Sequence, residues 1–318
     1  MTASKALEGR RFLFVTGKGG VGKTTITAAL ALALKAQGRS VLCVMCQEKE
    51  RLSKLLGGQP VGDEIVEMRP GIMAVNIDPE TALREYGEMV LRFRTLYNAV
   101  FDNRVVKSLL RATPGLYEWA MLGKAWYHTT EYLPGGRPRF DVVVFDAPST
   151  GHALEMLRGP KAIVDVAPPG LLRREAAKAW TMFTDPKQTG VVLATLAEET
   201  PVTETLFLYE ALTNELSLPV SMVVVNKVYP PLLSQREREA FLGCSDVSLT
   251  MDGNEALAIG FRRAQIEQAQ NCAIMRLLQS FDTDRFGSND GPTLCYLPYR
   301  FDGVKTPASV FELSLRLA

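Results

Sequence analysis

Short apolar runs alternate along the chain with longer segments in which apolar residues recur every three or four positions. Short runs without strict alternation are typical of strands buried on both faces of a sheet, and the longer periodic segments are typical of helices. The runs that predict strands span residues 12–15, 40–45, 72–77, 142–145, 191–195, 220–225 and 294–297. Because helical segments separate these strands, the pattern predicts an α/β fold with a mostly parallel sheet flanked by helices.

One long segment, residues 79–136, shows helical periodicity only. Its apolar residues form a single stripe composed of Leu83, Tyr86, Val90, Phe93, Tyr97 and Val100. We expect a helical subdomain inserted into a single domain of residues 1–318, with a stripe that either packs within the domain or offers a surface to a partner. A shorter second insertion is expected at residues 160–185, with about one helix at 171–183.

Residues 17–25 read Gly-Lys-Gly-Gly-Val-Gly-Lys-Thr-Thr, between the first predicted strand and an Ala/Leu-rich helical segment. This is the phosphate-loop pattern in the strand–loop–helix setting that the motif requires, although a glycine-rich turn without a ligand is the simpler alternative. The glycines let the backbone turn its N–H groups inward, and the helix adds its positive amino-terminal end. Lys23 is then expected on the β- and γ-phosphates of ATP and the Thr24 hydroxyl on Mg²⁺. The residues expected to bind the nucleotide are Gly19, Gly20, Val21, Gly22, Lys23, Thr24 and Thr25.

A second lysine, Lys18, directly follows the first glycine of the loop. The loop therefore resembles the deviant phosphate loop of the arsenite-pump, tail-anchored-protein targeting, Min/Par partitioning and nitrogenase-iron-protein ATPases. In that class the extra lysine reaches across a dimer interface to the partner's nucleotide, so the resemblance implies a dimer that closes around ATP. The alternative is an ordinary exposed lysine.

The apolar strand at 142–145 ends in Asp146, where a carboxylate is placed to hold Mg²⁺ through a water molecule. The residues that follow give Asp-Ala-Pro-Ser-Thr-Gly-His, which resembles the Asp-Thr-Ala-Pro-Thr-Gly-His signature of the arsenite-pump and tail-anchored-targeting ATPases. Thr150, Gly151 and His152 match this signature, and the resemblance implies a switch that senses the γ-phosphate. His152 taken by itself is equally consistent with a structural histidine.

Further matches extend the resemblance over most of the chain; they are Pro114-Gly115-x-x-Glu118, Asp185-Pro186, Thr189, Glu204-Thr205, Val225-Asn226 and Leu297-Pro298. In the family, the asparagine after one apolar strand and the loop after the last strand hold adenine. The resemblance therefore implies adenine contacts for Asn226 and Pro298.

The first switch of the family normally carries an aspartate that orients the attacking water, and here the alignment places Gln47 at that position. Glutamine cannot accept a proton as a carboxylate does, although it can position water. Slow hydrolysis is expected, or hydrolysis that depends on Glu48. A slip of one residue in the alignment gives Glu48 the role itself.

Cys43 and Cys46 have the spacing of a zinc or redox pair but lie within a predicted strand. Side chains an odd number of residues apart in a strand point to opposite faces, which favours two buried apolar cysteines over a metal site. The zinc-clamp cysteine pair that targeting factors carry before an Arg-Arg helix is missing ahead of Arg262-Arg263, so no zinc clamp is expected. Five cysteines over 318 residues favour a reducing compartment.

A net charge of +1 gives no electrostatic reason to expect nucleic acid as the main partner. The amino terminus lacks the apolar segment of a signal peptide, and no run is long enough to cross a bilayer. A soluble, cytoplasmic protein is expected.

The resemblance implies a homodimeric ATPase that binds and slowly hydrolyses ATP, with opening and closing coupled to a hydrophobic membrane-protein client or a membrane carrier. One alternative is a nucleotide-binding regulatory subunit with little catalysis that pairs with a paralogue in a heterodimer. Another is a partitioning-type ATPase, whose usual amphipathic carboxyl-terminal helix is not evident at residues 306–318.

Overall fold

The computed structural model describes residues 3–46, 50–91, 116–167, 169–243, 255–281 and 291–318. In these residues eight strands form one sheet. The strands are β1 (Phe12–Gly17), β2 (Val41–Cys46), β3 (Val66–Arg69), β4 (Ile72–Ile77), β5 (Val142–Asp146), β6 (Thr189–Leu196), β7 (Val220–Val228) and β8 (Thr293–Pro298).

Helices connect the strands and cover both faces of the sheet. The helices are α1 (Ala3–Ala6), α2 (Lys23–Ala36), α3 (Leu52–Leu56), α4 (Pro79–Leu91), α5 (Leu116–Tyr127), α6 (Thr150–Val166), α7 (Leu171–Thr184), α8 (Glu199–Glu210), α9 (Gln235–Gly243), α10 (Glu255–Phe281) and α11 (Pro307–Ser314). A short π-helical turn, Ala211–Glu215, extends α8. No helix within the described ranges has the length and apolar character needed to cross a membrane.

The strand order is β3-β4-β2-β5-β1-β6-β7-β8, and every neighbouring pair is parallel except β3 with β4. The predicted α/β fold with a mostly parallel sheet is therefore confirmed. The seven apolar runs correspond to seven of these strands. The antiparallel edge strand β3 was not predicted, because its residues Val-Glu-Met-Arg are only partly buried and form no apolar run.

The sheet separates two apolar cores. One core holds α2, α3 and α11 against the sheet, and the other holds α4 to α8 and the end of α10. Strand β2 shows the alternation clearly, because Cys46 lies in the core on one side and Cys43 in the core on the other. The prediction that these cysteines point to opposite faces is confirmed.

Helices α4 and α5 lie within residues 79–136, for which an inserted helical subdomain is expected; they pack against each other, and Trp119 of α5 is buried in the core. Leu83 of the predicted apolar stripe is buried as well. The side chains of the other stripe residues lie outside the described part of the chain. Helix α7 lies within residues 160–185, for which a second insertion is expected; it extends one residue beyond the predicted helix and exposes Arg173 and Arg174.

The parallel strands bring their carboxyl ends to one edge of the sheet. Asp146 at the end of β5 pairs in register with Val15 of β1, just before the β1–α2 loop. Asn226 lies near the end of β7 and Pro298 at the end of β8. Ligands of open α/β sheets bind beyond this edge.

Candidate functional site

The β1–α2 loop leaves the centre of the sheet and leads directly into α2 at Lys23. Gly22 caps the helix in the left-handed region at φ 98°, and Gly17 has φ 151°. A Cβ on Gly17 would collide with the Ala194 carbonyl of β6, and one on Gly22 would collide with Nδ2 of Asn226. Both positions therefore require glycine, and the loop forms a narrow turn in front of the first N–H groups of α2.

The Lys23 side chain folds back over this loop. Its Nζ donates to the carbonyl oxygens of Gly17 and Lys18 at 3.4 and 3.5 Å. The ammonium group thus lies across the turn rather than pointing into solvent. Together with the amino-terminal end of α2, it concentrates positive potential at the loop.

Thr24 and Asp146 meet at the centre of the site. The Thr24 hydroxyl donates to Oδ2 of Asp146 at 2.6 Å, although the two residues are 122 positions apart in sequence. Asp146 is 1% exposed, so its carboxylate is held at the floor of the site. A hydroxyl and a carboxylate in contact are oxygen donors of the kind that Mg²⁺ binds.

A cavity of about 800 Å³ opens in front of the loop and α2. Its walls include four residues that the sequence did not indicate as part of a site: Glu50, Arg51, Lys54 and Lys305. The Glu50 carboxylate accepts hydrogen bonds from the Ser53 amide and hydroxyl, at 2.7 and 2.6 Å, and so holds the start of α3. Arg51, Lys54 and Lys305 are cations at the rim of the cavity and suit a polyanionic ligand. In the sequence, only the positive charge that follows β2 and β8 indicated that these residues could belong to a site.

Asn226 contacts the loop directly. Its Nδ2 donates to the Val21 carbonyl at 2.8 Å, and its Oδ1 accepts from the Lys227 amide at 2.9 Å. Pro298 ends β8 and is exposed, whereas Val304 and Lys305, farther along the same segment, line the cavity. The adenine contacts expected for Asn226 and Pro298 stay predictions.

Lys18 forms an ion pair within its own chain. Its Nζ lies 2.7 Å from Oε1 of Glu204 on α8, and the two side chains are 34% and 39% exposed. The resemblance to the family at Glu204-Thr205 did not predict this contact. Lys18 and Glu204 are 186 positions apart in sequence, and sequence alone does not tell which distant charged side chains pair.

The predicted switch residues lie at the start of α6, directly after Asp146. Gly151 and His152 are exposed, and the Thr150 side chain lies outside the described residues. Gln47 and Glu48, the predicted water-positioning residues, also lie outside the described residues. Their assignment stays a prediction.

Cys43 lies close enough to the site for the charge of Asp146 to affect it. Complete burial raises the pKa of the Cys43 thiol, and the negative charge of Asp146 raises it further. A thiol that stays protonated is a poor metal ligand and a poor nucleophile. This environment supports a structural role for Cys43.

Residues 10–167, which include the loop and the Asp146–His152 segment, match the family model of the anion-transporting ATPases. The ATPase BagA of Mycobacterium tuberculosis and the putative ATPase Mb3704 of Mycobacterium bovis are each 33% identical to the chain over 236 residues, which is 73% of this chain and 69% of either relative. The chain belongs to the anion-transporting ATPase family. An arsenical pump-driving ATPase of Acidiphilium multivorum is 29% identical over 257 residues, and the alignment covers 72% of this chain and 43% of that relative.

This anion-transporting ATPase family member has a site whose chemistry fits ATP and Mg²⁺. The turn has no space for side chains at Gly17 and Gly22, and glycine turns of this kind present backbone N–H groups to anions such as phosphate. Lys23 supplies a cation, while Thr24 and Asp146 supply oxygen donors suited to Mg²⁺. Family membership supports ATP hydrolysis by this chain.

Some residues that match the family lie far from the site. Asp185 accepts from the Lys187 amide and from the Gln188 side chain, both at 2.9 Å, and so forms the turn before β6. The Thr189 hydroxyl donates to the Met182 carbonyl at 2.8 Å. These two residues stabilise the amino-terminal end of β6, opposite the edge at which the site lies.

Proposed function

We propose that the chain is a Mg²⁺-dependent ATPase that works as a dimeric switch, closing when ATP binds and reopening after hydrolysis. The observation that carries the proposal is the contact between Thr24 and Asp146, directly behind the phosphate loop. The two oxygen donors expected to bind the metal are thus in contact with each other, close to the turn that the Lys23 side chain covers, and this supports the proposal.

In this proposal the first N–H groups of α2 and the ammonium of Lys23 bind the phosphate oxygens of ATP. Thr24 and Asp146 would hold Mg²⁺, the threonine through its hydroxyl and the aspartate through a water molecule. Mg²⁺, when bound, neutralises the charge that develops on the phosphoryl oxygens. Gln47 or Glu48 positions the attacking water, and because glutamine is a weak substitute for a carboxylate as a base, slow turnover is expected.

Lys18 completes the site from the other subunit. Within a single chain it is paired with Glu204, so it must leave that carboxylate before it can contact the partner's nucleotide. An exposed ion pair contributes about 0–1 kcal/mol, which is small enough for a triphosphate to displace it. The pair is therefore compatible with a lysine that changes partners during the cycle.

The switch has to drive a process outside the chain. Several relatives are named arsenical pump-driving ATPases, which favours a membrane partner that is energised by the cycle. A hydrophobic membrane-protein client is the second possibility. Mass spectrometry of the proteins that co-purify with an ATP-trapped Asp146→Asn variant separates a carrier subunit from a client helix.

Single-turnover hydrolysis of ATP tests the enzymatic part of the proposal. We expect Mg²⁺-dependent release of phosphate from the wild-type protein and none from Lys23→Ala, which should fail to bind ATP. If the wild-type protein holds ATP intact for many hours, the chain is a nucleotide-binding regulatory subunit and the enzymatic proposal is wrong.

A further inference from the structure

Helix α10 directs three residues toward the loop that follows β7. Arg263, Glu267 and Gln270 are spaced by four and three positions, so they lie on one face of the helix. Glu267 and Gln270 are 2% and 8% exposed. Buried polar residues in the middle of a helix are unusual, and each of these two accepts a hydrogen bond from the backbone of one short loop.

The side-chain amide of Gln270 forms two hydrogen bonds with the backbone of Tyr229. Its Oε1 accepts from the Tyr229 amide at 2.8 Å, and its Nε2 donates to the Tyr229 carbonyl at 3.2 Å. A single side chain thus satisfies both polar groups of one loop residue. Tyr229 comes directly after β7, three positions beyond Asn226.

Glu267 holds the next part of the loop. Its carboxylate accepts from the Leu232 amide at 2.9 Å and from Nε of Arg263 at 2.7 Å, and Arg238 of α9 lies 3.5 Å away. Arg263 also donates to the Pro230 carbonyl. Burial raises the pKa of Glu267, but the hydrogen bonds from Leu232 and Arg263 outweigh this effect and lower it, which keeps the carboxylate charged.

The loop held in this way positions the segment that follows β8. The Tyr229 ring stacks on the Tyr299 ring with centroids 4.3 Å apart, and the Arg263 guanidinium lies over the Tyr229 ring, 5.1 Å from its centroid. The Tyr299 amide donates to the Val228 carbonyl at 2.7 Å. Tyr299 directly follows Pro298, in the segment that continues to the cavity wall at Lys305.

We propose that Glu267 and Gln270 are positioning residues for the adenosine end of the nucleotide site. They fix the segments after β7 and β8, which begin three positions beyond Asn226 and directly after Pro298. The inference rests on the proposed function, because it requires that these segments hold the base of ATP. Segments that are already ordered cost less conformational entropy when they bind a ligand, so loosening them weakens binding of the base and leaves the phosphates unaffected.

The test compares ATP with inorganic tripolyphosphate, which has the phosphates and no base. Binding of each is measured by competition against a fluorescent ATP analogue, with Mg²⁺ present, for the wild type, Gln270→Leu and Glu267→Gln. Gln268→Leu is the matched control, because Gln268 is exposed on the outer side of the same helix. Thermal unfolding of each variant verifies that it is folded.

We expect Gln270→Leu to bind ATP about tenfold more weakly while its affinity for tripolyphosphate changes by less than about twofold. Glu267→Gln keeps an acceptor for Leu232 and should show a smaller loss, again confined to ATP. The preference for ATP over GTP should fall in the same variants. Gln268→Leu should match the wild type in every measurement.

Equal weakening of ATP and tripolyphosphate by Gln270→Leu would overturn the proposal, because it would show a general structural effect. Unchanged ATP binding in a folded Gln270→Leu protein would overturn it as well. If Gln270→Leu is not folded, the ATP-to-GTP preference of the milder, folded Glu267→Gln variant decides. A wild-type protein that binds no ATP would instead contradict the proposed function itself.

Discussion

Lys18 and Glu204 form an ion pair of 2.7 Å between the phosphate loop and α8. Both side chains are more than a third exposed, so solvent screens the pair and its contribution to stability is small. The lysine is thus held by its own chain in a contact that is easily exchanged. Its role in the proposal can therefore be tested without disturbing the fold.

Lys18→Ala should separate catalysis from binding and folding. We expect the free energy of unfolding to fall by less than about 1 kcal/mol, ATP affinity to be largely retained, and turnover to fall by about a hundredfold, as for other single groups that stabilise transition-state charge. Urea unfolding, equilibrium binding and steady-state hydrolysis measure the three quantities. A Lys18→Ala protein that is monomeric and fully active would contradict the proposal that this lysine acts across a dimer interface.

Removing the Thr24 hydroxyl should impair metal-dependent hydrolysis. Thr24→Val keeps the shape of the side chain but loses the oxygen that lies 2.6 Å from Asp146. We expect at least a tenfold lower kcat and a higher Mg²⁺ concentration at half-maximal activity. Thr27→Val, one turn along the same helix, is the control, because the Thr27 hydroxyl is buried without a hydrogen-bond partner. Equal Mg²⁺ requirements for Thr24→Val and the wild type would contradict the metal assignment.

The loop conformation itself can be tested by adding single methyl groups. Gly22→Ala places a Cβ against Asn226 at a φ of 98°, whereas Gly19→Ala has nothing within 4 Å of the new atom. We expect Gly22→Ala to lower the free energy of unfolding by about 1–3 kcal/mol, and Gly19→Ala to change it by less than about 0.5 kcal/mol. Urea unfolding without nucleotide measures both. Similar losses at the two positions would show that the loop differs from this description.

Much of the fold could be predicted because parallel strands that are buried on both faces appear in the sequence as continuous apolar runs. The same property explains the omission of β3, whose alternating, partly exposed residues make no such run. In the site, Thr24 and Asp146 were predictable because each belongs to a motif with a fixed position relative to its strand. Their contact follows from β1 and β5 being neighbours in the sheet.

The remaining features depend on long-range packing that local patterns do not encode. Glu204 reaches Lys18 only because α8 packs beside β1, and Glu267 holds Leu232 only because α10 crosses the loop after β7. A charged residue in a helix usually indicates a solvated face, so local sequence patterns do not distinguish Glu267 from other surface glutamates. Side chains that act through such crossings become visible only once the chain is folded.

His128 should make the stability of the fold depend on pH. It is 7% exposed, and Nδ1 lies 2.7 Å from Oε2 of Glu131. Burial lowers the pKa of His128, with a smaller contribution from the positive charges of Lys124 and Arg139, although Glu131 opposes the shift.

In the unfolded chain histidine titrates near pH 6.5, so below about pH 6.5 the unfolded state binds a proton that the native state does not. Stability should therefore fall as pH drops from about 6.5 toward the lowered native value, by at most about 1.4 kcal/mol per pH unit. His128→Gln should flatten this slope. Equal slopes for His128→Gln and wild type in urea unfolding between pH 5 and 7 would contradict the assignment.

Complementation between two inactive variants can show whether each nucleotide site combines the phosphate loop and Asp146 of one subunit with Lys18 of the other. Lys18→Ala and Asp146→Asn should each be nearly inactive when assayed separately. In a mixed dimer, the site with an intact Asp146 receives Lys18 from the other subunit.

The measurement is ATP hydrolysis by a 1:1 mixture of the two variants, with distinct affinity tags to verify that mixed dimers form. Random pairing makes half of the dimers mixed, and each mixed dimer has one complete site out of two. We therefore expect recovery of roughly a quarter of wild-type activity. If a sample that contains mixed dimers shows no recovery of ATP hydrolysis, the proposal that Lys18 acts in the site of the other subunit is wrong.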